Sequence, residues 1–316
     1  MGQVRSITAE DMPAVDELLN GIFRRDNNVL DQDVLSDFPL VFALGNYHNC
    51  RVIEFDGRVA SHAAIFSCEF VLRDRRLKMA LIVLVATRAE HRKQGYAARL
   101  MRDLHRTMHN EAYDLGILWT GVPDFYRKLG WEAVTPRGWF SDDLRSRPGL
   151  LDGLTSDSEP PASIEPFDER RHLAGVIKLH EAEPLRTCRS RQEYAALLAL
   201  PKIRVWVSRR HNQVSAYVVF GQAINKQGVI EYGGPADDVL LLIAQGVRTH
   251  ALDRELPLLI CHLRSDLAQR FEEAGEPLHA LECSMGRGCE MLYIVQPNDL
   301  PLKSLGELFV WGLDYT

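Results

Sequence analysis

The 316-residue sequence predicts an α/β (α+β) fold made of two similarly organised halves. Short apolar runs of strand length alternate with amphipathic helical segments, as in folds that layer helices on a sheet. A stretch rich in Pro, Gly, Ser and Asp, Ser146 to Pro166, interrupts this pattern and is typical of an interdomain linker. We therefore predict a first domain at 1–150, a linker at 151–162 and a second domain at 163–316.

The elements of the first half are predicted in the order β-α-β-β-β-α-β-α-β. Residues 9–23 form an amphipathic helix with one apolar face. A hairpin within 51–72 turns at Asp56-Gly57, a dipeptide that favours tight hairpin turns. The run LKMALIVLVAT, residues 77–87, is apolar almost throughout and predicts a strand buried on both faces. The remaining predicted elements are helices at 95–113 and 123–130 and strands at 3–7, 115–121 and 131–134.

The second half repeats this order with little shared sequence, which favours an internal duplication. In each half, a short helix that ends in Gly precedes a late strand, in FYRKLGWEAV and in RFEEAGEPLHAL. The predicted elements are strands within 204–234 and at 256–263, 276–284 and 289–295, and helices at 236–253 and 265–275.

Charge limits the class of partner. The net charge is −6, and it is uneven: residues 1–150 carry 20 acidic and 20 basic side chains, whereas residues 151–316 carry 23 and 17. This balance argues against nucleic acid as the partner. An acidic second half is compatible with a cationic substrate that approaches from that side.

Other features of the chain point to a metal-free cytoplasmic protein. It has no apolar run of about 18 residues, and its N-terminal segment lacks the apolar core of a signal peptide, so we expect no membrane partner. None of the six cysteines has C-x-x-C spacing, which predicts buried thiols instead of disulfides or a zinc cluster. His105 and His109 are one helical turn apart, but no third metal ligand is evident.

The stretch from Arg88 to Gly95, which we call the basic loop, joins the apolar strand to a helix. Arg92 and Lys93 are cationic, and the first turn of the helix carries the small side chain of Ala97. A helix N-terminus has unsatisfied N–H groups and a partial positive charge, so it binds anions such as phosphate. Neither the P-loop nor the dinucleotide-binding glycine pattern is present. The loop therefore predicts a pyrophosphate site of another kind.

The pattern R-x-x-G-x-A at Arg92, Gly95 and Ala97, between a buried strand and a helix and followed by FYRKLGW, resembles the GNAT superfamily of acetyl-CoA-dependent N-acetyltransferases. The resemblance covers about residues 3–140. It implies that each half is a mixed, mostly antiparallel twisted sheet flanked by helices, with two central strands that splay apart. Acetyl-CoA is then the cosubstrate, and no metal is needed.

The resemblance also implies which residues hold the coenzyme. Backbone N–H groups of Val85 and Thr87 contact the pantetheine arm in the opening between the splayed strands. The phosphates are surrounded by the basic loop and the first helical turn. The residues expected at the phosphates are Arg92, Lys93, Gln94, Gly95, Tyr96, Ala97 and Ala98.

The resemblance implies direct acyl transfer, in which an amine attacks the thioester and a thiolate leaves. Tyr126, in FYRKLG, is the expected acid that protonates the departing sulfur. The sequence does not identify the general base that accepts the proton of the amine. Many family members carry a glutamate on the strand before the loop, but residues 77–87 contain no acidic side chain. The candidates from the first half are Glu54, His62, Glu69 and a water relay.

Two further residues depart from the family pattern. Trp119 and Val122 stand where the family often has Asn and Ala, which leaves the detail of coenzyme contact open.

The two-half layout resembles the acetyltransferases of the enhanced-intracellular-survival type, without their third, sterol-carrier-like domain. Those enzymes use the C-terminal carboxylate as a base, which makes Thr316 a candidate here. In the second half, Gly233-Gly234-Pro235 replaces the basic loop, and Asp237 and Asp238 would repel phosphate. We therefore expect the second half to bind no coenzyme and to shape a substrate pocket or an oligomer interface.

The leading interpretation is an N-acetyltransferase that acts on a primary amine of a small, cationic molecule. The first alternative is an N-acetyltransferase for protein or peptide amines. The second is a non-catalytic acyl-CoA-binding sensor, which the missing strand glutamate favours. The sequence leaves open the identity of the amine, whether the acyl group is only acetyl, and the oligomeric state, with a homo-oligomer as one option.

Overall fold

Two mixed β-sheets, flanked by helices, form the framework of the computed structural model. The structure describes residues 2–27, 33–134, 138–141, 163–201, 203–223, 226–249, 258–261, 263–275, 278–280 and 289–296, with Leu308 and Val310.

Among these residues, six strands and four helices lie between residues 4 and 134. The first helix starts after a capping box formed by Thr8 and Asp11, and the predicted hairpin turn is confirmed, with positive φ angles at Asp56 and Gly57. The strands are β1 Val4–Ser6, β2 Cys50–Phe55, β3 Arg58–Leu72, β4 Arg75–Thr87, β5 Leu115–Thr120 and β6 Glu132–Val134, and the helices are α1 Met12–Phe23, α2 Val34–Asp37, α3 Tyr96–Asn110 and α4 Pro123–Arg127.

The rest of the described chain contains helices and strands that the sequence analysis did not predict, among them α5, α6 and β7 to β9. The predicted second-half helices end earlier than expected, at Arg248 and Glu273. The strands are β7 Gly138–Ser141, β8 Ser163–Pro166, β9 Leu185–Cys188, β10 Arg204–Arg210, β11 Gln213–Ala223, β12 Lys226–Gly233, β13 Leu258–Cys261, β14 His279–Ala280 and β15 Cys289–Ile294. The helices are α5 Glu169–Glu181, α6 Arg191–Leu198, α7 Ala236–Arg248 and α8 Ser265–Glu273.

The two sheets have the same strand order, and each contains a strand from the other half of the chain. The first sheet runs β1-β2-β3-β4-β5-β15-β6, with β9 paired to the free edge of β3, and the second runs β8-β10-β11-β12-β13-β7-β14. Strand β15, which we expected in the second half, therefore completes the first sheet, and β7 completes the second. The predicted domain limits at 150 and 163 stay a prediction, and both sheets extend across them.

The exchanged strand β15 is firmly built into the first sheet. It pairs antiparallel with all six residues of β5 on one side and with β6 on the other. Its side chains alternate between the two faces: Met291 is buried under α3 and α4, and Leu292 is buried on the opposite face. Burial of alternate residues on both faces fixes the register, because a slip of one residue would reverse every side chain.

One buried cluster extends from the first half into the second. On the face of the first sheet that packs against α1, it includes Leu19 and Leu81, and in the second half it includes Phe220 and Ile243. The opposite face of the first sheet packs against α3 and α4 in a separate cluster. The shared cluster and the exchanged strands bind the two halves together.

Candidate functional site

Strands β4 and β5 lie parallel and separate partway along. They pair at Met79–Leu115, Ala80–Gly116 and Leu81–Ile117, and no further pair is formed by the described residues beyond Leu81. The chain therefore leaves a gap between residues 82–87 of β4 and residues 118–120 of β5, which we call the splay. The expectation of splayed central strands is confirmed for the first sheet.

A bulge in β4 begins just beyond the last paired residue. The register between β3 and β4 shifts here, since Ala64 is opposite Val83 and His62 is opposite Ala86. Leu84 adopts φ +55°, which is unfavourable for a bulky side chain. A bulge redirects the backbone groups of its strand, and this one does so at the edge of the splay.

After the bulge, alternate N–H groups of β4 face the splay. The N–H of Arg88 donates to the carbonyl of Ala60, on the β3 side. N–H groups alternate between the two edges of a strand. The N–H of Ala86 therefore also points to β3, and the N–H groups of Val85 and Thr87 point to the β5 edge. These are the two groups that the sequence analysis assigned to pantetheine.

The basic loop leads from β4 to the N-terminus of α3. Gly95 is the residue before the helix, with φ +83°, and no side chain caps the first turn. Within the described residues, nothing accepts a hydrogen bond from the N–H groups of residues 93–98. The side chains of Arg92, Lys93 and Gln94 are exposed. Arg92 Nε also donates to the carbonyl of Thr87 at the end of β4, and Gln94 Nε2 to the carbonyl of Glu90 in the loop.

This arrangement fits an anionic group. Six consecutive N–H groups that have no acceptor among the described residues, a helix N-terminus and two exposed cations suit a pyrophosphate. Gly95 is needed first for its left-handed conformation. A Cβ built on Gly95 would meet no atom within 4 Å, so the space beside it is open to a ligand.

Tyr126 lies in α4, on the α3 side of the first sheet. Its side chain is buried and belongs to the same apolar cluster as Ile82 and Leu118, the residues where the splay begins. Its ring meets Phe125 edge-on at 4.8 Å. Burial raises the pKa of the Tyr126 phenol to about 12, so the hydroxyl keeps its proton at neutral pH. A neutral phenol in this cluster can donate a proton.

The first-half base candidates differ in their surroundings. Glu54 is exposed and pairs with Arg5, and Glu69 is exposed and pairs with Arg76. Both carboxylates are therefore engaged at the protein surface. His62 is fully buried, and its Nδ1 lies 2.9 Å from the carbonyl oxygen of Leu84 in the bulge.

Thr316, the other base candidate, lies outside the described residues.

The structure adds a carboxylate that sequence reasoning missed. Glu290 of β15 is buried, lies opposite Trp119 of β5 and accepts a hydrogen bond of 3.0 Å from Trp119 Nε1. Trp119 is one of the residues that lines the splay. No local motif marks Glu290, because its position depends on a strand exchange between distant parts of the chain.

The corresponding helix N-terminus in the second half carries two carboxylates in its first turn, and both are paired with arginines. Asp238, at the start of α7, is buried and binds Arg210 at 2.6 Å, and Asp237 binds Arg270 at 2.6 Å. A Cβ on Gly234 would lie 2.4 Å from the carbonyl oxygen of Ser215, so this turn packs against protein and leaves no ligand space. Gly95, by contrast, borders open space.

A cavity of about 410 Å³ lies between the first sheet and the second half. From the first half it is lined by Phe66 to Glu69 of β3, and from the second half by Thr187 to Arg189 and by Glu193. Phe66 is paired with Leu81, the residue where β4 and β5 separate. The cavity therefore reaches the sheet close to the start of the splay.

The described residues contain no group of three side chains that could hold a metal ion. His105, one of the two histidines with helical spacing, instead stacks on Tyr293 at 4.2 Å and accepts a hydrogen bond from Trp131. Within the same part of the chain, the helices are all too short or too polar to span a membrane.

Comparison with protein families gives a match for the first half. Residues 3–134 match the family model described as an acetyltransferase (GNAT) domain. The match includes β4, the basic loop, α3 and α4, and it supports transferase activity. No curated protein sequence matches the chain.

Solved structures extend the likeness to both halves at the level of fold. The GCN5-related N-acetyltransferase from Kribbella flavida is 16% identical, with a TM-score of 0.63, over 92% of this chain and 70% of its own. Eis1 from Mycobacterium abscessus is 12% identical, with a TM-score of 0.58, over 93% and 74%. The N-myristoyltransferase of Saccharomyces cerevisiae, solved with myristoyl-CoA, is 10% identical, with a TM-score of 0.61, over 92% and 78%. The predicted fold class is thus confirmed.

Proposed function

We propose that this protein is an acetyl-CoA-dependent N-acetyltransferase whose acceptor is a primary amine of a small, cationic molecule. The observation that carries the proposal is the row of N–H groups at residues 93–98, which find no acceptor in the described part of the chain, beside the splay of β4 and β5. The family match of residues 3–134 supports the same chemistry.

The first half has the groups that would hold the coenzyme. N–H groups of the basic loop and of the first turn of α3 would bind the pyrophosphate, and Arg92 and Lys93 would add charge. The N–H groups of Val85 and Thr87 would pair with the pantetheine arm as an added strand does. When bound, acetyl-CoA supplies an activated acetyl group on sulfur.

Tyr126 is the residue that we assign to proton donation. Its raised pKa keeps the phenol protonated, and its membership of the apolar cluster that contains Ile82 and Leu118, at the start of the splay, supports this role. A phenol in this place can protonate a departing thiolate. The apolar surroundings strengthen a hydrogen bond to a developing negative charge.

Glu290 is a buried carboxylate bonded to Trp119, which lines the splay. It lies on the face of the sheet opposite α3, held by Trp119. A carboxylate there can attract an ammonium group and accept its proton. Thr316 stays a further candidate for the base.

The cavity between the halves favours a small acceptor over a protein. Its volume of about 410 Å³ is within the range of small-molecule pockets. Of the charged side chains at its wall, Glu69 pairs with Arg76, Lys78 lies near Glu111 and Arg189 pairs with Glu231 at 2.6 Å, which leaves the carboxylate of Glu193. The remaining negative charge suits a cationic amine.

A cytoplasmic location and an oligomeric assembly stay predictions.

The test is a thiol-release assay with acetyl-CoA and matched panels of amines. We expect release to depend on small di- and polyamines, with N-acetylated product found by mass spectrometry. Release with peptide amines but not with small amines would favour the protein acetyltransferase. Binding of acetyl-CoA without turnover across both panels would favour the sensor.

A further inference from the structure

The bulge of β4 needs a partner that holds it in place. Leu84 carries a large side chain at φ +55°, a conformation that L-residues adopt at a cost unless their surroundings fix it. The bulge separates the paired part of β4 from residues 85–87, which carry the N–H groups that face the splay. Its shape therefore decides where those N–H groups point.

The side chain that contacts the bulge is His62, on the neighbouring strand β3. Its Nδ1 lies 2.9 Å from the carbonyl oxygen of Leu84, and the ring is fully buried. A carbonyl can only accept a hydrogen bond, so the proton of the neutral ring must be on Nδ1. The contact therefore fixes the tautomer.

We propose that His62 is a positioning residue: its Nδ1–H holds the Leu84 carbonyl and thereby aims the N–H groups of Val85 and Thr87 at the coenzyme. The inference rests on the proposed function, since it takes the splay as the coenzyme site.

The residue before His62 holds the far end of the same segment. Ser61 Oγ donates to the carbonyl of Ala86 at 2.7 Å. Because its one proton is used there, Ser61 Oγ accepts the hydrogen bond of 2.7 Å from the Thr87 hydroxyl. Two consecutive side chains of β3 therefore fix β4 from Leu84 to Thr87.

Burial keeps the ring of His62 neutral, and the neutral Nδ1–H tautomer is sufficient for this role. Desolvation lowers the pKa of His62 to about 4, although its hydrogen bond to Leu84 acts in the opposite direction. The second ring nitrogen, Nε2, is buried and finds no hydrogen-bond partner within the described residues. A role for Nε2 as proton acceptor is the competing explanation, and the two nitrogens can be tested separately.

Two substitutions distinguish the role of Nδ1 from that of Nε2. In His62→Asn, the amide nitrogen takes the place of Nδ1 and can still donate to Leu84. In His62→Gln, the amide nitrogen takes the place of Nε2, and the donor to Leu84 is lost. The measurement is the Kd of acetyl-CoA by isothermal titration calorimetry, with thermal unfolding of each variant as the control for folding.

We expect His62→Asn to stay within about threefold of the wild-type Kd and His62→Gln to bind about tenfold more weakly, since a buried carbonyl loses its donor. Equal affinities in the two variants, or the reverse order, would overturn the role of His62. A wild type that binds no acetyl-CoA would overturn the proposed function itself, and with it this inference.

A measurement on the wild type covers the case in which a variant does not fold. Nitrogen-15 NMR of the histidine rings reports protonation and tautomer. We expect His62 to stay in the neutral Nδ1–H form from pH 5 to pH 8 (on the order of a unit above its pKa at the lower limit), with and without acetyl-CoA. A ring that changes tautomer or becomes charged when acetyl-CoA binds would contradict a positioning role.

Discussion

At the scale of single residues, the chemistry of the first half depends on protonation states set by burial. Tyr126 and His62 are both buried, and both are held in their neutral forms, the phenol by a raised pKa and the imidazole by a lowered one. The Tyr126 phenol therefore keeps a proton that it can donate. The His62 imidazole keeps its Nδ1–H, which donates to the Leu84 carbonyl.

Replacement of Tyr126 tests the proton donor. Tyr126→Phe should lower kcat by about 100-fold, the usual contribution of a general acid, and leave the Kd of acetyl-CoA within about twofold. Thiol-release kinetics and calorimetry measure the two quantities.

Tyr113→Phe is the matched control, because Tyr113 is buried in the same apolar cluster under α3. Unchanged turnover in Tyr126→Phe, or an equal loss in both variants, would remove Tyr126 as the acid.

The lowered pKa of His62 predicts a pH dependence of folding stability. Between its ordinary value of 6.5 and about 4, the unfolded chain binds a proton at His62 and the folded chain does not. The free energy of unfolding should therefore fall as the pH is lowered through this range, by up to about 3 kcal/mol from this ring.

Urea denaturation at several pH values measures the effect. His62→Asn should show a shallower decline than the wild type over the same range. His105, whose pKa is also lowered to about 4, remains in both proteins and contributes equally. Parallel curves for the two proteins would mean that His62 titrates normally in the folded state.

At the scale of elements, the basic loop could be predicted from sequence because its parts are adjacent in the chain. The sequence contains the apolar run of β4, then Gly95, then the first turn of α3. Strand, loop and helix N-terminus can therefore be predicted from one continuous segment. The bulge at Leu84 was not predicted. Nothing in an apolar run shows where the register with its neighbour shifts.

The exchanged strands could not be predicted for a related reason. β15 pairs with β5 across roughly 170 residues of chain, a distance over which local pattern carries no information. The apolar run at 289–295 correctly indicated a strand, but not the sheet to which the strand belongs. Glu290 was missed as a site residue for the same reason.

A disulfide across the exchanged strand tests this topology. Leu118 of β5 and Met291 of β15 are direct partners, so the double variant Leu118→Cys/Met291→Cys should form an intramolecular disulfide on mild oxidation. Mass spectrometry of peptides from the oxidised protein detects the bond.

The matched control pairs Leu118→Cys with Tyr293→Cys, which lies on the same face but two residues out of register. This pair should form little disulfide. A bond in the control and none in the direct pair would place β15 in a different register or a different sheet.

At the scale of the whole molecule, the two halves should unfold together. Each sheet contains a strand from the other half, and one buried cluster continues from α1 to α7. Neither half can lose its structure without exposing strand edges and apolar surface of the other. A cooperative transition is the expected result.

Differential scanning calorimetry should therefore give one transition, with coincident loss of helical circular dichroism and of tryptophan fluorescence. Acetyl-CoA should shift the whole transition upward, because a ligand of the folded state stabilises everything that unfolds with it. Two separate transitions, of which acetyl-CoA shifts only one, would contradict this coupling.

The asymmetry between the halves is the central claim: of the two corresponding helix N-termini among the described residues, that of α3 carries no carboxylate and that of α7 carries two. Gly95 borders open space at the start of α3, whereas Asp237 and Asp238 occupy the start of α7. One coenzyme site per chain follows. A glutamate at Gly95 would place a negative charge among the N–H groups of residues 93–98.

The most direct test is the stoichiometry of acetyl-CoA binding by isothermal titration calorimetry, in the wild type and in Gly95→Glu. Gly45→Glu is the control, since it adds the same charge at another exposed glycine whose Cβ would meet no atom within 4 Å. We expect one molecule bound per chain in the wild type and in Gly45→Glu, and a loss of affinity of at least about 100-fold, near 3 kcal/mol, in Gly95→Glu. Two molecules per chain, no binding by the wild type, or full affinity in Gly95→Glu would contradict the account.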